Sequence, residues 1–148
     1  MHRLLVVVDG TAQAAKALEH ALEVAGAAPG SEIVLLRIEP APSPWQAHRP
    51  VLNSRQNIAD QLLYRAGLRA SALGVRYRAR IETGEKADVV TKVAEQEGCD
   101  HIFVPEAKSN AASRALMALA AACTGTSVGR IISQSEVPVT VVGSKGPR

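Results

Sequence analysis

Gly125 and Thr126 open the stretch GTSVGRIISQSEVPVTVV, which reads as a helix followed by a turn and a buried strand. A Gly-Thr pair at such a helix start, with Ser127 next to it, suits anion binding. The first N–H groups of a helix have no internal partner, and the macrodipole favours negative charge beside them. Other groups that could act with them end apolar runs elsewhere in the chain. Asp9, Gly10 and Thr11 follow the first run, Glu39 follows the second, and Pro105 and Glu106 follow a later one. Yet the glycines that usually bring a phosphate close to such a helix are missing, because residues 106–124 contain no Gly.

The familiar phosphate and catalytic signatures are absent. After the first run the chain reads DGTAQA rather than GxGxxG, and there is no GxxxxGK[ST] or GxSxG. A phospho-acceptor site would want further acids beside Asp9 and an Asp ending the third strand, which ends instead at Glu82-Thr83. His2, His20, His48 and His101 form no HxxH or HExxH group, and Cys99 and Cys123 have no metal-ligand spacing. No catalytic residue and no metal ligand is assigned, and both thiols are expected buried and reduced.

The elements that must position these groups follow from pattern. Leu4 to Val8 is a buried strand, and Thr11 is placed to cap a helix running to about Ala25, with Leu18, Leu22 and Ala25 on its inner face. Ile33 to Ile38 is a second buried strand. Pro40 to Pro50 holds four prolines in eleven residues and reads as a surface loop. A helix from about Ser54 has Ala59, Leu62, Leu63, Ala66, Ala70 and Leu73 inward and Gly74 as its C-cap. Val75 to Glu82 alternates strictly, so it is a half-exposed edge strand with Arg76, Arg78 and Arg80 on one face. A third helix, Ala87 to Gln96, stops at Gly98, and His101 to Val104 is a fourth strand ended by Pro105. Ala111 to Cys123 is rich in helix formers. A last helix, Thr126 to Ser133, buries Val128, Ile131 and Ile132. It leads to a strand at Val139 to Val142 and a frayed tail at 143–148.

Five strands alternating with helices give an α/β fold, an open doubly wound parallel sheet with helices on both faces. At 148 residues the chain is read as one domain. Its few aromatics, Trp45, Tyr64, Tyr77 and Phe103, leave the core to Val, Leu, Ile and Ala, which suits such a sheet. They also leave no stacking platform for single-stranded nucleic acid. The formal charge of +3 is mild, and a nucleic-acid footprint would need a wider basic field than the three alternating arginines. The five-residue apolar run before Asp9 is too short for a signal peptide or a membrane span. A cytoplasmic protein without nucleic-acid or membrane partners is expected.

On these residues the chain resembles the universal stress protein (UspA) family over nearly its full length. VVVDGTAQAAKALEHAL resembles the family's first strand, turn and helix, and IVLLRIEP its second strand. IETGEKADVVTKVAEQEGCDHIFV resembles the third strand, the following helix and the turn into strand four. GTSVGRIISQSEVPVTVV resembles the closing segment, with Gly125-Thr126, Arg130 and Val137-Pro138-Val139 in register. The resemblance implies a Rossmann-like sheet of strand order 3-2-1-4-5. It also implies a homodimer formed along the last strand, here through Val139, Val141 and Val142. Members that bind ATP carry Gly-x2-Gly-x9-Gly-[Ser/Thr], with an acid ending strand one and backbone at the end of strand two meeting the adenosine. Carried over, the nucleotide-binding positions are Asp9, Thr11, Ile38, Pro105, Gly125, Thr126 and Ser127.

The departure lies in the glycines. Counted back from Gly125 they fall on Ala112 and Ala115, and counted forward from strand four on Glu106 and Ser109. Glycine serves there by reaching positive φ and allowing close backbone approach. Glu106 at ~4 Å from a phosphate would cost on the order of 1 to 4 kcal/mol. Three functions stay open. One is a dimeric stress-associated regulatory protein with weak or absent ATP binding, acting through an unknown protein partner. The second is an ATP or AMP binder with slow hydrolysis or autophosphorylation. The third binds AMP or a compact anion at Gly125-Thr126. Asp9, Gly125 and Thr126 also have plain structural readings as turn and cap residues.

Overall fold

A computed structural model describes residues 2–39, 52–106 and 127–142. The elements are β1 (Arg3–Val7), α1 (Ala12–Ala27), β2 (Glu32–Glu39), α2 (Leu52–Ala72), β3 (Arg76–Thr83), α3 (Lys86–Glu97) and β4 (His101–Pro105). After them come α4 (Ser127–Gln134) and β5 (Val139–Val142). The expected Pro40–Pro50 loop, the Ala111–Cys123 helix, Cys123, Gly125, Thr126 and the 143–148 tail lie outside the described residues.

The strands form one five-stranded sheet of order β3-β2-β1-β4-β5, with every pair parallel. Strands covered on both faces have no polar side to present, so their sequences are continuous apolar runs. Leu4 to Val8, Ile33 to Leu36 and Ile102 to Val104 are all buried. Alternation divides them between two cores. Leu4, Val6, Val8, Ile33, Leu35 and Phe103 face α1 and α2. Leu5, Val7, Val34, Leu36, Ile102 and Val104 face α3 and Ile131 of α4.

Helix ends are set by the residues that sequence marks for them. Thr11 Oγ1 accepts from the Ala14 N–H at 3.1 Å and starts α1. Glu85 caps α3 by accepting from the Asp88 N–H at 3.1 Å. Gly98 ends α3 in the left-handed region at φ 63°, where its N–H reaches the carbonyls of Ala94 and Glu95.

Two expectations about burial need correction. Ile132, expected inside, is 53% exposed: Ile131 takes the inward position on α4, and the next residue lies about 100° around the helix. Leu73 is 49% exposed because α2 has ended at Ala72, so helical spacing no longer governs it. β3 is the outermost strand and half-exposed, as expected, with Tyr77 and Ile81 on its apolar face 41% and 40% exposed.

Candidate functional site

The turn after β1 is built on its own side chains. Gly10 adopts φ +83°, which bends the chain back toward α1. Asp9 Oδ1 accepts the Thr11 N–H at 2.9 Å and the Thr11 hydroxyl at 2.5 Å, so the carboxylate closes an Asx turn. Asp9 Oδ2 has no hydrogen bond among the described residues and remains available to a ligand.

The end of β2 lies beside it. The Val8 N–H donates to the Leu36 carbonyl at 2.8 Å. Backbone groups repeat with period two, so the Ile38 carbonyl points the same way, past the end of β1. Arg37 Nη1 donates to that carbonyl at 3.0 Å. The Arg37 Nε is buried and has no acceptor among the described residues.

These groups line a cleft of about 320 Å³ bounded by Val7, Asp9, Arg37, Ile38, Gly84 and Lys86. It lies beyond the C-terminal ends of β1, β2 and β3, at the start of α3, where open α/β sheets bind ligands. Its floor is apolar and its charged groups are one carboxylate and two cations. The structure therefore brings Asp9 and Ile38 together. Thr11 lines a separate apolar cleft of about 230 Å³ between α1 and α2, with Val8, Leu18 and Leu62. Pro105 is buried at the end of β4, paired with Val142, and does not line the Asp9 cleft. Ser127 begins α4, and its side chain lies outside the described residues, as do Gly125 and Thr126.

The Universal stress protein family pattern matches residues 1–143. The chain belongs to the universal stress protein family. No curated protein matches the sequence. Among solved structures, it is similar to the hypothetical protein MJ0577 at 20% identity and a TM-score of 0.79, covering 99% of this chain and 98% of that one. A universal stress protein in complex with cAMP is 18% identical with a TM-score of 0.73, over 97% and 98% of the two chains. A family protein from Arabidopsis thaliana with AMP bound is 19% identical with a TM-score of 0.66, over 99% and 94%. These similarities carry the fold.

In this universal stress protein two cleft residues, Arg37 and Lys86, were not legible as site residues. The signal for Arg37 is a charge interrupting the apolar run IVLLRIEP near its C-terminal end, which is the ligand end of a parallel strand. Lys86 sits at the first position of α3, directly after its Glu85 cap. Elsewhere the charges serve structure. Arg78 pairs with Glu32 at 2.7 Å and Glu97 at 3.4 Å, while Arg80 pairs with Glu97 at 3.0 Å and also with Glu82. Two of the three alternating arginines are thus neutralised by carboxylates, as suits a solvated edge.

Thiol and metal chemistry find no footing among the described residues. Burial, with Glu97 nearby, pushes the Cys99 thiol up to about 11, so the thiolate is scarce at neutral pH. No group of three or more His, Cys, Asp or Glu side chains is placed to hold a metal ion among the described residues. No described helix is long and apolar enough to cross a membrane.

Proposed function

We propose that this universal stress protein is a cytoplasmic, dimeric regulatory protein whose cleft takes an adenine nucleotide of monophosphate size and holds ATP weakly or not at all. The observation that carries this reading is the meeting of Asp9 and Ile38 in one cleft beyond the strand ends. The uncommitted Asp9 Oδ2 suits a ribose hydroxyl, and Val7 and Ile38 give the base an apolar floor.

A short ligand is favoured. At about 320 Å³ the cleft falls within the ~300–1,000 Å³ range of ligand sites. The absence of glycine from residues 106–124 argues in the same direction, since a triphosphate needs close backbone approach. Two of the similar structures contain cAMP and AMP by name. The described lining residues include no nucleophile paired with a base, and the reading is of a protein that acts by binding, through a protein partner.

Dimerisation along β5 fits its place in the sheet. β5 is an edge strand of four residues, and Val141 is 37% exposed on it. Val139 and Val142 complete that edge.

Isothermal titration with adenosine, AMP and ATP tests the binding. AMP is expected to bind at least about ten-fold more tightly than ATP, a difference of roughly 1.4 kcal/mol. Asp9→Asn should weaken adenosine and AMP alike. Tighter binding of ATP than of AMP would overturn the reading.

A further inference from the structure

We infer that the anionic group of the ligand is held by Arg37 and Lys86, on the β2–β3 side of the cleft, rather than at the start of α4. This rests on the nucleotide reading for the ligand's identity, but the anion site itself stands on the charges around the cleft.

The lining carries Asp9 as its one carboxylate against Arg37 and Lys86. Arg37 is already oriented: its Nη1 is fixed on the Ile38 carbonyl at 3.0 Å, so the guanidinium plane needs little ordering on binding. Its Nε is buried with no acceptor among the described residues, which leaves a costly donor unmet. A guanidinium fork matches the oxygens of a phosphate, and this one lines the cleft.

Lys86 supplies a second, point-like charge. Its nearest acidic neighbours in sequence are otherwise engaged. Glu85 and Asp88 both face Arg130, at 3.1 Å and 3.5 Å. Lys86 forms no ion pair among the described residues, and it opens a helix whose N-terminal dipole has the same sign. Of the other carboxylates at these strand ends, Glu82 is paired with Arg80, and Glu39 is absent from the lining. The ligand class is therefore a phosphate monoester or pyrophosphate, the charged part of a nucleoside phosphate. It lies where the sheet supplies side-chain cations, in a chain that lacks the glycines of a backbone cradle.

The experiment compares adenosine, AMP and inorganic pyrophosphate by isothermal titration on the full chain. The variants are Arg37→Gln with Lys86→Gln together, Lys86→Gln alone, and Thr126→Val. Gln at 37 keeps an N–H for the Ile38 carbonyl, and Lys86→Gln, at a half-exposed helix start, spares the fold. The wild type is expected to bind AMP about ten-fold more tightly than adenosine, with pyrophosphate competing. The double variant should lose that preference, its AMP affinity falling to the level of its own adenosine affinity, and Lys86→Gln should lose part of it. If the preference survives in the double variant, or disappears with Thr126→Val instead, the assignment is overturned while nucleotide binding stands. If pyrophosphate binds in an Arg37-dependent way but adenosine and AMP do not, the anion site stands and the nucleotide reading falls. If no anion binds the wild type, the anion site is refuted.

Discussion

The Arg130 guanidinium of α4 lies 3.1 Å from the Glu85 carboxylate that caps α3. One acidic side chain thus starts α3 and ties it to α4. Glu85→Ala removes both functions and should cost about 1–2 kcal/mol, mostly through the lost cap. Arg130→Ala removes two partly exposed ion pairs, to Glu85 and Asp88, and should cost about 0.5 kcal/mol. The Asp88 backbone N–H, with the Arg130 charge behind it, holds the Glu85 carboxyl below its ordinary value of 4.5. Its contribution is therefore present above that value and is lost as pH falls through the lower folded-state value. Urea denaturation of both variants at neutral and acid pH checks this, and an Arg130→Ala cost matching that of Glu85→Ala would refute the ranking.

At Gly98 the constraint is conformational. An added Cβ would meet nothing nearer than Arg3 Nη1 at 3.9 Å, but the residue sits at φ +63°. Gly98→Ala should lose about 1 kcal/mol of stability with no change in packing. Gly98→Asn, which tolerates the left-handed region better, should lose less. Equal losses in the two variants, measured by urea midpoints, would count against the assignment.

A histidine couples β4 to β5. His101 Nε2 lies 2.5 Å from Thr140 Oγ1, and the ring stacks on Phe103 at 4.6 Å. Burial, and then His20, holds His101 below its ordinary 6.5. The unfolded chain therefore takes up this proton more readily than the folded one. The His101 contribution to stability is complete above about 6.5 and declines as pH drops through the lower folded-state value. Replacing His101 with Gln should flatten the stability profile between pH 7.5 and 5. An unchanged slope would remove His101 as its source.

For assembly, Val141→Glu places a charge on the exposed edge of β5. If β5 is the dimer contact, this variant should sediment as a monomer with unchanged circular dichroism. A sedimentation coefficient equal to that of the wild type would exclude that interface.

The fold was legible because most of its signals are local. Apolar runs marked β1, β2 and β4, the alternation from Val75 marked β3 as an edge, and Thr11 and Gly98 marked helix ends. Strand order was not local and came from family resemblance. The site was only half legible. Asp9 stands at a strand end and could be placed in the crevice from sequence, while Ile38 came from family resemblance. Arg37 and Lys86 enter the cleft through side-chain reach and the packing of α3 against the sheet, which no spacing along the chain displays. Thr11 failed to join the cleft because the turn at Gly10 directs it to the opposite face. Ile132 and Leu73 were misplaced because periodicity counts residues but does not say where a helix's neighbour ends.

The two rims of the sheet are chemically unlike. β3 carries Arg76, Arg78 and Arg80 along one face, with carboxylates bound to two of them, whereas β5 carries valines. Addition of subunits end to end needs two rims that accept each other, and a fenced rim does not accept a bare one. A two-fold contact at β5 consumes the bare rim of each copy and leaves only fenced ones outward. If β5 is the dimer contact, growth stops at a pair, and the charges on β3 then set a ceiling on assembly size and guard the protein against forming fibres.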